Sequence, residues 1–369
     1  MSNPKDEKEQ LTELRTEIDS IDAQIGDLIS QRARCAQRVA EVKQTWSKDG
    51  EPPIFYRPER EAQVLRKAME RNQGPLSNEE YARLFREIMS ACLALEKPTQ
   101  VAYLGPEGTF TQQAAYKHFG QSALTVSLPT IGDVFREVES ESTQFGVVPV
   151  ENSTGGVVAH TLDSFLESNL YICGEVVLRI HHHMMVSDVT KVDNISRIYS
   201  HTQSFAQCRK WLAANYPNAE KVAVSSNAEA AKRVKSEWNS AAIAGQMAAE
   251  INGLSITASN IEDSPDNATR FLIIGKQKTG PSGDDKTSIV VAMKNQPGAL
   301  HDLLAPFHRN QIDLTRVETR PSPTGTWSYA FFIDFVGHQQ EEHVKLVLQE
   351  VGQLASDLKV LGSYPKGVL

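Results

Sequence analysis

A run of ten positions near the start constrains this chain more than anything else in it. Leu11, Leu14, Ile18, Ile21, Ile25, Leu28, Arg32, Cys35, Val39 and Val42 recur at alternating steps of three and four residues. Only an α-helix brings such positions onto one side, and a seam of this length asks for a second helix to cover it. No proline interrupts it, Gly26 falls on a flank, and Gly50, Pro52 and Pro53 are expected to end it. Pro58 followed by Glu59 reads as the first turn of a second helix, which Gly74 and Pro75 stop. Ser77 with Glu80 three residues on has the form of a capping box, opening a third helix that runs to Glu96 before Pro98. Residues 1–98 therefore read as an all-α unit.

The rhythm then changes. VAYLG, FGVVPV, RIYS, KVAVSS, AAIAG and RFLIIG, spread over residues 101–278, are short β-rich runs. Helical stretches alternate with them at Gln112–His118, Asp133–Glu139, Phe205–Asn215, Ala228–Ser236 and Gln246–Ile251. Such alternation predicts an α/β region with mostly parallel sheets, and its length suggests two lobes around a cleft, bounded at 100–280. The polar segment PSGDD (281–285) reads as a linker. Beyond it, in 285–369, come a strand TSIVVAM, a helix from Gly298, strands DLTRVETR and WSYAFFIDF, a helix Glu341–Leu354 and a strand DLKVLGSY. That βαββαβ order is the ferredoxin-like plan.

With 369 residues, two or three domains are expected. A net charge of −8 argues against a nucleic-acid partner, since phosphates would be repelled over most of the surface. Cys35, Cys92, Cys173 and Cys208 are far apart and form no CxxC pair, so neither a disulfide framework nor a zinc site is expected. The polar opening MSNPKDEKEQ and the lack of any long apolar run lead us to expect a soluble, cytoplasmic protein without a membrane partner. Adjacent residues of a strand face opposite ways, so His181-His182-His183 reads as structural rather than as a metal tract. No cofactor is expected.

Arg32 stands where the seam demands an apolar residue, and burying it unpaired would cost several kcal/mol. Alone it would be read as escaping to solvent. Here Lys43 lies further along the same helix, Arg60 and Glu61 open the second, and Glu96 closes the third, one turn past Cys92. Arg15 and Lys43 are 28 residues apart on one stripe, hence about 42 Å along a single helix. They can meet around one small ligand only if two chains pack their long helices antiparallel, so a homodimer or higher homo-oligomer is expected. The segments LRTEID, SQRARCAQRVAEVK, FYRPEREAQVL and FREIMSACLALE resemble the all-helical chorismate mutases. That resemblance implies that Arg15 of a partner, Arg32, Lys43 and Arg60 hold the carboxylates and ether oxygen of chorismate. It also implies that Glu61 accepts from the ring hydroxyl. Arg57 stands where many relatives have Asp, Cys92 where they have Ser, and Glu96 where they often have Gln; all three are expected to line the substrate. Catalysis would come from holding a compact conformer and placing cations where charge develops, with Arg32, Lys43 and Glu96 as the catalytic groups. A Glu at position 96 must be protonated to donate to the ether oxygen, so burial is expected to raise its pKa.

In the central region LGPEGTFT (104–111) follows a strand and opens a helix, so its N–H groups and Thr109 could receive an anion. VPVENSTGG carries Glu151, Asn152 and Ser153; YSHTQSFAQC carries Ser200, His201, Gln203 and Gln207; DNATRF carries Thr269, Arg270 and Phe271. Singly, most such residues are turn and cap formers. In this order GPEGTF, PVENS, SHTQSFAQC and NATRF resemble the prephenate dehydratases, which implies a two-lobed, periplasmic-binding-protein-like domain. It implies loss of the ring hydroxyl and carboxylate of prephenate, with Thr269 as donor to the leaving hydroxyl and Arg270 as anchor or brace. Asn152, Ser200 and Gln207 would fix the substrate, and a proton relay from Glu151 or His201 is a further expectation.

PGAL and ETRP in the last region resemble the ACT domains of these enzymes, implying L-phenylalanine bound near Gly298, Ala299, Leu300, Glu318 and Arg320. The three resemblances together imply a bifunctional enzyme of L-phenylalanine biosynthesis under feedback control. The rival reading is a non-catalytic small-molecule-binding regulatory protein, which turnover would exclude. A fusion of the mutase with a dehydrogenase would need a GxGxxG fingerprint after a strand, and the sequence has none.

Overall fold

The computed structural model describes residues 4–46, 54–294, 296–321 and 329–369. Gly50, Pro52 and Pro53, and the start of the strand expected at Trp327, lie outside the described residues.

Helix α1 (Pro4–Thr45) runs unbroken through the seam, followed by α2 (Pro58–Arg71) and α3 (Asn78–Glu96). Arg57 caps α2 in extended backbone, Pro58 takes the first turn, and Glu59 and Glu61 place negative charge at the positive end of the helix. Ser77 accepts a hydrogen bond from the Glu80 N–H at 3.2 Å, as the capping-box spacing requires. α2 and α3 pack through Ala62, Leu65, Ala68 and Ala82, all buried. α1 packs on α3 but, among the described residues, is buried only at Ala40 near its C-terminal end. The rest of the seam is bare: Ile18 is 56% exposed, Ile25 48% and Leu28 64%.

The central region is built from β1 (Gln100–Leu104), α4 (Phe110–Phe119), β2 (Leu124–Leu128), α5 (Ile131–Glu139), β3 (Phe145–Asn152), β4 (Gly156–Val157), α6 (Ala159–Glu167) and β5 (Tyr171–Arg179). Then follow β6 (His183–Val186), β7 (Arg197–Ser200), α7 (Thr202–Gln207), α8 (Arg209–Asn215), β8 (Glu220–Ala223), α9 (Asn227–Val234), β9 (Ser240–Ala244), α10 (Gln246–Asn252), β10 (Ser255–Ala258) and β11 (Ala268–Gly275). The strands form two sheets, in the orders β2-β1-β3-β11-β5 and β10-β6-β9-β7-β8. The expectation of mostly parallel sheets fits the strand directions, but each sheet carries one reversed strand along its main path. In the first sheet β1, β2, β3 and β5 point the same way and β11 runs reversed between β3 and β5; in the second β7, β8, β9 and β10 point the same way and β6 runs reversed between β9 and β10. The reason is the path of the chain. It leaves the first sheet after β5, builds the second, and returns as β11 into the middle of the first. The two crossing segments are bonded to one another, Ile180 N–H to Asn267 O at 2.8 Å and Ile261 N–H to His182 O at 2.9 Å. Two lobes joined by a double crossing leave a cleft between them. The single helix expected over 205–215 breaks at Cys208 into α7 and α8.

The last region has β12 (Asp285–Met293), α11 (Ala299–Arg309), β13 (Leu314–Pro321), β14 (Tyr329–Val336), α12 (Glu342–Leu354) and β15 (Asp357–Pro365) in an antiparallel sheet of order β13-β14-β12-β15. Strand alternation sends Ile289, Val291 and Phe335 to the helices and Val290, Phe332 and Tyr364 to the first lobe, where they join Ala102, Val150 and Leu272 in one core. The expected linker at 281–285 is an ordered turn: Asp285 accepts from Ser282, and Arg66 of α2 donates to Ser282 and to Asp284 O. Among the described residues, no helix is long and apolar enough to cross a membrane.

Candidate active site

The cleft between the lobes encloses about 760 Å³. Its lining gathers the N-terminal ends of five helices: Thr109–Phe110 of α4, Val158–Ala159 of α6, His201–Gln203 of α7, Ser226–Asn227 of α9 and Gly245 of α10. Among the lining residues there is no lysine or arginine. With no such side chain, the converging helix dipoles supply the positive field, a preorganised setting for an anion. Gly245 is needed for close approach, since a Cβ there would meet the Phe110 ring at 2.7 Å.

Asn152 is the hub of the floor. β3 and β11 pair Asn152 directly with Thr269. The Asn152 Oδ1 accepts from the backbone N–H groups of Thr154 (3.1 Å) and Gly155 (2.7 Å), which can only donate, so its amide orientation is fixed. Its Nδ2 then donates to Ala268 O at 3.2 Å and to Thr269 Oγ1 at 2.8 Å. With its oxygen occupied as an acceptor, the Thr269 hydroxyl keeps its own proton to donate elsewhere. Gln203 and Gln207 both donate weakly to Asn152 Oδ1, at 3.4 Å. Gly155 packs so closely that a Cβ would lie 2.3 Å from Gln203 Nε2. His201 caps α7 by accepting the Gln203 N–H on Nδ1 at 3.3 Å, which leaves the ring proton on Nε2.

Of the residues expected here, Thr109, Asn152, His201, Gln203, Gln207, Thr269 and Phe271 line the cleft. The Thr109 hydroxyl donates to Leu104 O at 3.2 Å, and the Gly108 N–H is taken by Gln112 Oε1 at 2.7 Å, so the loop is partly self-satisfied. Ser200 and Ser153 act behind the cleft. Ser200 is fully buried, with its hydroxyl between Ile243 O and Asn227 Oδ1, and Ser153 accepts the Ala268 N–H at 2.9 Å.

Strand alternation decides one open expectation, Arg270 as anchor or brace, and overturns another, Glu151 as relay. Arg270 follows Thr269 on β11 and therefore faces the other side of the sheet. There it meets Glu175 at 2.8 Å, Asp334 at 2.6 Å and the Tyr364 hydroxyl at 3.0 Å, and these acceptors hold its pKa high despite burial. It braces the C-terminal sheet and cannot anchor a substrate in the cleft. Glu151 precedes Asn152 on β3 and likewise faces away; its carboxylate lies 3.6 Å from Arg316 of β13, so it cannot relay a proton into the cleft. Asn227, Phe110 and His182 line the cleft and were not expected there. For Asn227 the signal was present, an Asn directly after Ser225-Ser226 at a helix start.

The helical region gathers a second, smaller constellation. Lys43 Nζ donates to Phe55 O at 3.1 Å, lies 5.4 Å from the Phe55 ring centre, and sits 3.9 Å from Glu96 Oε2. Burial lowers the Lys43 pKa, Glu96 opposes this, and Arg57 adds to it. Burial raises the Glu96 carboxyl against the pull of Lys43 and Arg32, and its Oε2 is buried with no hydrogen-bond partner. Arg32, Lys43, Arg57 and Glu96 thus share one neighbourhood, and Cys92 is buried one turn back on α3. Arg60 is exposed, as is Arg15 on the bare part of α1. Glu61 departs from expectation. It accepts from Arg86 Nε at 3.1 Å, against Tyr56, at the junction with the central region. Burial raises its pKa against those partners, and it lines a separate pocket with Tyr56, Arg86, His118 and Glu175. Tyr56 continues that junction to His118 at 3.1 Å, whose pKa burial pushes down to about 3.

In the C-terminal region Gly298 caps α11 at φ +85°, a conformation suited to glycine, with Ala299 and the exposed Leu300 following. Arg320 on β13 holds Asp163 of α6 in a two-pronged pair at 2.9 and 2.7 Å, with Glu318 close enough to strengthen its charge.

Three family models match the chain: chorismate mutase type II over residues 14–97, prephenate dehydratase over 101–279 and ACT domain over 287–353. The chain is 66% identical over 363 residues to a bifunctional chorismate mutase/prephenate dehydratase of Pseudomonas aeruginosa, covering 98% of this chain and 100% of that one. It is 49% identical over 357 residues to the enzyme of the same description from Neisseria gonorrhoeae, covering 96% and 97%. Among solved structures, a prephenate dehydratase from Arthrobacter aurescens in complex with L-Phe superposes with a TM-score of 0.68 at 30% identity, over 72% of this chain and 90% of that one.

Proposed function

The chain belongs to the family of bifunctional chorismate mutase/prephenate dehydratases, and from that premise we propose which side chains carry each step. The enzyme rearranges chorismate to prephenate, then removes the ring hydroxyl and carboxylate of prephenate to give phenylpyruvate.

The dehydration belongs to the cleft between the lobes. As the bond to the departing carboxylate breaks, its electron pair moves through the ring and expels the hydroxyl at the far end, and aromatisation supplies the driving force. The protein need only hold the dianion and deliver a proton to the leaving oxygen. Thr269 is that donor, because Asn152 occupies its oxygen and leaves its proton free. His201, protonated on Nε2 and on the cleft wall, is the remaining relay. The substrate carboxylates are held by the helix N-termini and by Gln203, with no cation in the lining. The observation that carries this reading is the Asn152–Thr269 pair on the floor of that converging field.

The rearrangement belongs to the cluster of Arg32, Lys43, Arg57 and Glu96, with Arg60 and Cys92 at its margin. It needs neither nucleophile nor metal, only cations and a donor where charge grows on the ether oxygen. A neutral Glu96, whose buried Oε2 makes no hydrogen bond, is that donor. Arg15 comes from a second copy whose long helix covers the bare seam, so the working unit is a homodimer or a higher assembly.

L-Phenylalanine is the effector, a reading that the L-Phe complex of the Arthrobacter enzyme supports, and its site is near Gly298, Ala299, Leu300, Glu318 and Arg320. Its influence reaches the cleft through the back of two strands. Asn152 and Thr269 face substrate, while their neighbours Glu151 and Arg270 hold Arg316 and Asp334 of the C-terminal sheet. Feedback requires that phenylalanine bind one arrangement of those contacts better than another. The test is a chorismate assay that follows prephenate and phenylpyruvate separately, with and without phenylalanine. Both products should appear without added cofactor, and phenylalanine should suppress the second.

A further inference from the structure

His182 lies on the segment by which the chain first crosses between the lobes. It is 1% exposed, lines the cleft, and presents its ring to the edge of Phe110 with centroids 5.7 Å apart. Its backbone is clamped: its N–H donates to Glu262 Oε2 at 2.9 Å and its carbonyl accepts from Ile261. Its Nε2 lies 2.8 Å from Gln207 Oε1.

Its protonation follows from its neighbours. Backbone donors fix Asn152 Oδ1 as an acceptor. The Gln207 atom against that oxygen must therefore be the amide nitrogen, which also donates to Thr154 Oγ1 at 2.6 Å. The Gln207 oxygen then faces His182, so His182 carries its proton on Nε2, and Nδ1 is buried without a partner. Burial lowers the pKa of the ring, the Gln207 bond and Glu262 oppose this, and His183 and His181 add to it, so the imidazole stays neutral.

Were this donor removed, the Gln207 amide could turn over and set its oxygen against Asn152 Oδ1, two acceptors face to face. We propose that His182 is a positioning residue of the dehydratase reaction: its Nε2–H holds Gln207 in the one orientation that supports Asn152, and through Asn152 the Thr269 donor. The ordered chain runs His182, Gln207, Asn152, Thr269, and it ties the second lobe to the floor of the first. This rests on the assignment of Thr269 and Asn152 to the dehydration.

The test compares two unbranched replacements of similar size in the full-length enzyme. His182→Gln keeps an N–H near the Nε2 position, and His182→Met does not. With prephenate supplied, His182→Met should lose about tenfold to a hundredfold in kcat with a smaller change in KM, and His182→Gln should stay within about threefold of wild type. Adding His182→Met to a Gln207→Leu enzyme should cause no further loss, because the effect passes through Gln207. Equal losses in the Gln and Met variants, an unchanged Met variant, or losses that multiply in the double variant would each overturn the proposal. Chorismate consumption by the same preparations reports folding. Thr269→Ala run alongside reports on the site reading alone, so failure of that reading and failure of the His182 role can be told apart.

Discussion

The two catalytic regions of this chain are built to different degrees of completeness. The cleft between the lobes closes within one chain: two crossing segments fix the lobes, and every amide around Asn152 has its orientation set by a neighbour. The helical region is more open. Lys43, Arg32, Arg57 and Glu96 meet at one end of α1, whereas Arg15 and most of the apolar seam face solvent. A site made from strand ends needs only its own sheet. A site made on a long helix whose seam is bare, on our proposal, draws on a second molecule.

The largest effect expected from this contrast is confined to the helical region. Lys43→Met should lower chorismate turnover by about 10²–10³, the cost of one preorganised donor at a developing charge. Dehydration of added prephenate should be unchanged, and steady-state kinetics on each substrate checks both. Next, Ile18→Glu with Ile25→Glu places charges in the seam and should dissociate the assembly that the seam holds. Mutase activity should then fall about tenfold or more and recover with enzyme concentration, while the dehydratase persists. Sedimentation and dilution kinetics would show it, and a mutase indifferent to both would break the comparison. Arg316→Met, which frees Glu151 on the back of the cleft, should weaken the effect of phenylalanine on dehydration by about fivefold with a smaller change in uninhibited rate. The smallest effect is one of pH. Burial raises the Glu96 pKa, so its protonated donor form exists below that raised value and is lost as pH rises through it. Mutase activity should decline on the alkaline side, and Glu96→Gln, which cannot ionise, should flatten that limb. An unchanged profile in the variant would remove Glu96 from the role.

Much of this was legible in the chain. The heptad seam, the Pro58 start and the Ser77 cap are local physics, and the structure has α1, α2 and α3 where they point. The βαββαβ order was equally local. What escaped was long-range. β11 enters the first sheet antiparallel because the chain returns from the second lobe, which no strand pattern announces. His182 looked structural because its role depends on lying at that crossing, and β5 and β6 on either side of it were not foreseen. Glu61 was expected at the substrate because its partner Arg86 lies 25 residues away on a different helix. Arg270 is different. Alternation along β11 already forbids Thr269 and Arg270 from facing the same cleft, so the choice of brace over anchor was available from the sequence alone.

The most direct test of the account is the fate of chorismate in a Thr269→Ala enzyme. Prephenate should form at the wild-type rate and accumulate, with phenylpyruvate production reduced by about 10²–10⁴. Phenylpyruvate appearing at the wild-type rate would contradict the assignment of Thr269 as proton donor. Loss of both activities together would contradict the claim that the two sites work independently.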